Sequence, residues 1–109
     1  MNLPLQFDST FFEKSRLSIL TVIFREEEVS FNRLKKILDF TDGALYSHLK
    51  KLIDGGYING RKQIVANNAL TIYRLTEKGR NEFSEYLKFL NQFVNDLGSD
   101  SGSDTEENK

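Results

Sequence analysis

The chain of 109 residues contains no cysteine and a single histidine. The first absence excludes a disulfide framework, a thiolate metal site and a cysteine nucleophile. The second excludes any metal site built from several imidazoles. No apolar run is long enough to span a bilayer, so no membrane-crossing helix is expected. Met1 to Thr10 lacks a basic segment followed by an apolar one, so a secretory signal is not expected, and the expected location is the cytoplasm. No glycine-rich phosphate loop of the G-x-x-x-x-G-K-S/T or G-x-G-x-x-G kind occurs. Ser47 and His48 are neighbours that point in different directions on a helix, and carboxylates gather in surface-like runs such as Glu26-Glu27-Glu28. Neither pattern builds a catalytic centre, so no enzyme activity, metal or cofactor is expected.

What is present is a core and an uneven charge. The hydrophobic fraction is 39%, with nine Phe and four Tyr, which suffices for one folded domain. The net charge of −1 hides a central basic segment. Residues 30–80 carry ten basic and four acidic groups, a net of +6. The flanking segments 1–29, 81–98 and 99–109 carry −2, −2 and −3. Such a segment between acidic ends is the pattern of a local polyanion site, although an ordinary solvated surface produces the same count. The stretch Gly98–Lys109 holds no apolar residue and cannot offset its ordering entropy by burial. Residues 98–109 are therefore expected to form a disordered acidic tail after a folded domain of residues 1–97.

Periodicity predicts a first helix over Ser9–Arg25, with Phe12, Leu17, Leu20, Ile23 and Phe24 at helical spacing and Ser9 or Thr10 as cap. Glu26-Glu27-Glu28 closes it. Ser30 is placed to cap a short second helix with Phe31, Leu34, Ile37 and Leu38 on one face. Thr41-Asp42-Gly43 opens a third, with Leu45, Leu49, Leu52 and Ile53 as its buried stripe and Gly55-Gly56 as its end. Two strand-like runs, Tyr57–Val65 and Ala69–Leu75, flank Ala66-Asn67-Asn68 and predict a hairpin. Thr76 is the expected cap of a last helix. The expected fold is mainly α with a small β-hairpin wing, that is, α+β. It is a winged helix-turn-helix with an extra C-terminal helix.

The run from Leu34 to Ile58, with Thr41-Asp42-Gly43-x-Leu45-x-x-His48-Leu49-x-x-Leu52-x-x-x-Gly56-Tyr57-Ile58, resembles the second and recognition helices of small prokaryotic winged-helix regulators. Tyr73-Arg74-Leu75-Thr76-Glu77-Lys78-Gly79-Arg80 resembles their second wing strand and following helix start, and Arg16-Leu17-x-Ile19-Leu20 their first helix. The group is the MarR/ArsR-like superfamily of transcriptional regulators, and the resemblance covers roughly residues 7–97. It implies a homodimer that binds double-stranded DNA. Relatives often carry Asn, Ser and a basic residue at the positions of Ala44, Tyr46 and Ser47, and a charged or Pro-containing wing tip. The uncharged tip here implies a weaker wing contact.

On this reading residues 41–55 form the recognition helix and residues 57–76 the wing. Thr41, Gly43 and Ala44 let the helix start approach a phosphate, Tyr46 and Ser47 reach base edges, and Lys50 touches the backbone. His48 is either a structural residue or a phosphate donor. Arg61, Lys62, Gln63 and Arg74 are candidate wing contacts. Phe83, Tyr86, Leu87, Leu90, Phe93, Val94 and Leu97 on the last helix, with Phe7 and Phe11, are candidates for a dimer interface, because so small a domain uses only part of that surface internally. The competing reading is a winged helix used as a protein-interaction module. No feature of the sequence specifies a small-molecule effector.

Overall fold

The computed structural model describes residues 9–107, with side-chain environments for residues 9–97. Phe7 lies outside them. Helix α1 spans Lys14–Glu26, α2 Phe31–Ile37, α3 Asp42–Asp54 and α4 Glu77–Glu107. Strands β1 (Val29–Ser30), β2 (Ile58–Val65) and β3 (Asn68–Leu75) form one antiparallel sheet in the order β1-β3-β2. Helix α4 continues past Leu97, where the apolar pattern stops, and no proline interrupts it.

Helix α1 starts later than its periodicity suggests. Glu13 is the cap, its carboxylate accepting from the Arg16 N–H at 2.9 Å. Ser9 and Thr10 cap nothing; their carbonyls accept from the Arg16 guanidinium instead. This turn drives Phe11 into the core at 0% exposure. Its ring lies 5.5 Å from Tyr57 and 6.4 Å from Phe83. At the other end Glu27 takes φ 73° and closes α1 through its N–H to the Ile23 carbonyl.

Strand β1 has no counterpart in the sequence reading, which treated residues 26–28 only as a helix end. Val29 pairs with Tyr73 and Ser30 with Ile72. Two residues are too few for an alternation to show, and the pairing is supplied by β3 from far along the chain. Ser30 then caps α2, its hydroxyl accepting from the Arg33 N–H at 3.0 Å. Thr41 does the same for α3 with the Ala44 N–H at 3.1 Å.

The buried stripe of α3 is narrower than expected. Leu45, Leu49 and Leu52 are buried, but Ile53 is exposed, as is Ile37 on α2. The α3 stripe packs with Ile19, Leu20 and Ile23 of α1 around Tyr57 and Tyr73. Gly56, at φ 84°, turns the chain out of α3 in the left-handed conformation that glycine adopts without strain.

The hairpin turn has two residues, not three. Asn68 pairs with Val65, leaving Ala66 at φ 52° and Asn67 at φ 67° as the loop. Two positive φ values match the primed turn that follows the twist of paired strands. At the base of the wing Thr76 knots three elements. Its hydroxyl donates to the Gly56 carbonyl at 2.6 Å and caps the Gly79 N–H at 3.0 Å, while its own N–H donates to the Tyr57 carbonyl at 3.0 Å.

Candidate nucleic-acid interface

Helix α3 has two unlike faces. Behind it the leucine stripe is sealed in the core. In front, Asp42, Gly43, Tyr46, Ser47 and Lys50 are exposed, Tyr46 at 63%. Thr41 satisfies the Ala44 amide, while the amides of Asp42 and Gly43 open towards solvent, as the first amides of any helix do. Nothing lies within 4 Å of where a Gly43 side chain would begin. A group with negative charge can therefore reach this helix end. The Asp42 carboxylate does not bar it, because Lys35 of α2 neutralises it at 2.6 Å.

His48 belongs behind this face. It is half-buried, its ring packs on Phe40 at 5.4 Å, and Nδ1 lies 3.1 Å from the Arg16 guanidinium. A guanidinium only donates, so Nδ1 is the acceptor. Arg16, itself buried, also donates to the carbonyls of Thr10 at 2.7 Å and Ser9 at 3.3 Å. His48 thus ties α3 to α1 and, through Arg16, to the entering chain. Nearby, burial and then the backbone N–H groups of Arg16 and Ser15 act oppositely on the Glu13 carboxyl, and the hydrogen bonds prevail, holding its pKa below the ordinary value.

The wing divides residues that the sequence grouped. Side chains alternate along a strand, so Lys62 lies on the opposite face from Arg61 and Gln63. Register places Lys62 across from Thr71, and Gly60 across from Tyr73, on the face that continues the core beside α3. Gly60 is bare because the Tyr73 ring crosses it; a Cβ there would sit 2.8 Å from that ring. Burial, and next the Tyr46 phenol, raise the Tyr73 pKa. Arg61 and Arg74 share the far face, where both reach Glu28, at 3.9 Å and 3.1 Å.

Charge on this surface is therefore less free than the count of +6 implies. Lys50 is paired with Asp54 at 3.3 Å, and Arg33 is gripped by Glu26 at 3.0 Å and 3.2 Å. Among the described residues, Lys62 is the one wing cation without a carboxylate partner. The acidic run that reads as a helix end is a source of these pairings. Its role is invisible without β1, because only the sheet brings Glu28 beside Arg74.

The proposed dimer residues fall into two sets. Phe11 and Phe83 are buried, at 0% and 2% exposure, and are spent on the core, which corrects their assignment to an interface. Tyr86 is half-buried against Phe11, Phe12 and Phe83. Leu87, Phe93, Val94 and Leu97 remain exposed along α4. Of these, Leu87 also lines an apolar cleft of about 630 Å³ between α1 and α4, together with Leu17, Phe24 and Leu90 among others.

Two helices joined by a tight turn, with the second backed by the core and flanked by a projecting hairpin, define a winged helix. Residues 15–94 match the winged helix DNA-binding domain family, and the chain belongs to it. It is similar to an uncharacterized protein of Methanocaldococcus jannaschii, at 39% identity over 72 residues, 66% of this chain and 78% of the relative. It is also similar to an uncharacterized HTH-type transcriptional regulator of Bacillus subtilis, at 30% identity over 77% of this chain and 51% of the relative. The chain thus spans about half the length of that regulator. Among solved structures it is similar to a transcriptional regulator homologue from Pyrococcus horikoshii, with a TM-score of 0.71 and 26% identity over 81% of this chain and 87% of the other. It is similar too to Bacillus subtilis PadR in complex with operator DNA, with a TM-score of 0.57 and 26% identity over 70% of this chain and 46% of the other. Among the described residues no helix is long and apolar enough to cross a membrane.

Proposed function

We propose that the chain acts as a homodimeric regulator of transcription that reads double-stranded DNA in a sequence-specific way. Helix α3 enters the major groove and the wing lies on the backbone or in the minor groove. The observation that carries this reading is the division of α3, with leucines sealed behind and an open helix start, Tyr46 and Ser47 in front. Base pairs differ in their donor and acceptor patterns in the major groove, so polar side chains on such a face can discriminate them. Lys50 and Lys62 flank the face and supply phosphate contacts. Lys50 does so by exchanging Asp54 for a phosphate, because an exposed ion pair is weak.

The exposed ridge of Leu87, Phe93, Val94 and Leu97, continuous with the α1–α4 cleft, supports a dimer through α4. Two copies related by a twofold axis read half-sites about one helical turn, roughly 34–36 Å, apart, so the operator is a pseudopalindrome. Titrating duplex binding with salt tests the DNA reading. A steep fall of log affinity with log salt is expected, since each phosphate contact releases counterions. A flat response refutes it and favours the protein-interaction reading. Sedimentation tests the dimer: Leu90→Asp with Phe93→Asp is expected to give monomers, and an unchanged association state refutes the interface.

A further inference from the structure

The geometry points to Glu28 as a built-in competitor for the DNA backbone. It holds the two wing arginines, so these two engage DNA only as phosphate takes the carboxylate's place. This inference rests on the DNA reading and adds to it what regulates the wing.

The placement of Glu28 is set by the fold. Glu27 ends α1 with a positive φ, and β1 begins at Val29 by pairing with Tyr73. Glu28 is held between these two fixed points, one residue before a strand pair, beside Arg74. Its carboxylate reaches the Arg74 guanidinium at 3.1 Å and that of Arg61 at 3.9 Å. Arg61 and Arg74 come to the same place from different strands, because register sets Arg61 opposite Ile72 and Arg74 opposite Asn59, all on one face. One carboxylate thus serves two guanidinium groups, each of which matches a phosphate in charge and hydrogen-bonding geometry.

All three side chains are about half exposed, so the pairings are in contact with water and are exchangeable. A phosphate approaching either arginine meets a fixed negative charge in the same position. Lys62, on the other face, meets none. The wing is therefore weakened on one side only, and removing the carboxylate frees two cations at once.

The test is duplex binding by Glu28→Gln, which keeps the shape of the side chain and removes its charge. Affinity for an unrelated duplex at low salt is expected to rise about three- to tenfold, and the slope against log salt to steepen by about one to two. Adding Arg61→Ala and Arg74→Ala to Glu28→Gln should abolish the gain. Glu28→Ala gives the same comparison without a side-chain amide that could hydrogen-bond an arginine. Unchanged or weaker binding by both Glu28 variants, with wild type bound, overturns the inference alone. So does a gain that survives loss of the arginines, or a large drop in melting temperature, which makes Glu28 a structural clamp. Wild-type protein that shows no salt-dependent duplex binding refutes the DNA reading itself and this inference with it.

Discussion

Gly79 is the position where one added methyl group tests the packing most sharply. It lies in the first turn of α4, where alanine is worth about 1 kcal/mol more than glycine in helix propensity. On propensity alone Gly79→Ala stabilises. The structure reverses the sign. A Cβ at Gly79 would sit 2.1 Å from the Tyr57 carbonyl oxygen and 3.0 Å from its carbonyl carbon, both backbone atoms that no rotamer change can move. Relief requires α4 to back away by roughly 1 Å, since nonbonded heavy atoms prefer separations of about 3.5 Å. That motion stretches the bonds made by Thr76 to the Tyr57 and Gly56 carbonyls, at 3.0 Å and 2.6 Å. Two weakened hydrogen bonds cost about 2 kcal/mol. The displaced packing of Phe83 against Phe11 and Phe24 adds about 1–3 kcal/mol. Against a gain of about 1 kcal/mol, the net loss is about 2–4 kcal/mol. At roughly 4–8 °C per kcal/mol for a domain of this size, melting falls by about 8–32 °C. Far-UV circular dichroism on heating measures it, with Gly43→Ala as the control. There nothing lies within 4 Å, so the same substitution is expected to leave melting equal or slightly higher. A Gly79→Ala protein that melts at or above the wild-type temperature refutes the reasoning.

Replacing Tyr46 or Ser47 by Ala should leave stability within about 0.5 kcal/mol, since both are exposed, yet shift the preference among single-base operator variants by about 1–3 kcal/mol at any base each reads; equal ratios across all variants would remove them from the reading face. Ala66→Gly should raise stability by up to about 1 kcal/mol in denaturant titration, because alanine at φ 52° pays for a conformation that glycine adopts freely, and a lower midpoint would contradict that. The Arg33 hydrogen bond and charge hold the Glu26 carboxyl below its ordinary value of 4.5. A depressed folded-state pKa contributes stability above 4.5 that is lost as pH falls through the lowered value. Melting profiles of wild type and Glu26→Gln should therefore converge as the medium is made strongly acidic, and parallel profiles would show that the pair does not contribute.

The local grammar of this protein is readable without coordinates. Ser30, Thr41 and Thr76 cap the helices that follow them because a side-chain oxygen meets a free amide a few residues on, which is a matter of sequence spacing. The leucine stripe of α3 and the hairpin after it are likewise set by short-range periodicity, and together they define the winged helix. What spacing cannot carry is which neighbours the fold supplies. Phe11 and Phe83 look like an open apolar surface in one dimension and meet in the core in three. Arg61, Lys62 and Gln63 read as one basic patch, but the strand's alternation divides them. Glu28 reads as the end of a helix until β1 joins β3 and lays it against Arg61 and Arg74. Caps and stripes depend on residues within about one turn of each other, whereas burial and charge pairing depend on segments brought together from across the chain, and only the tertiary structure decides those.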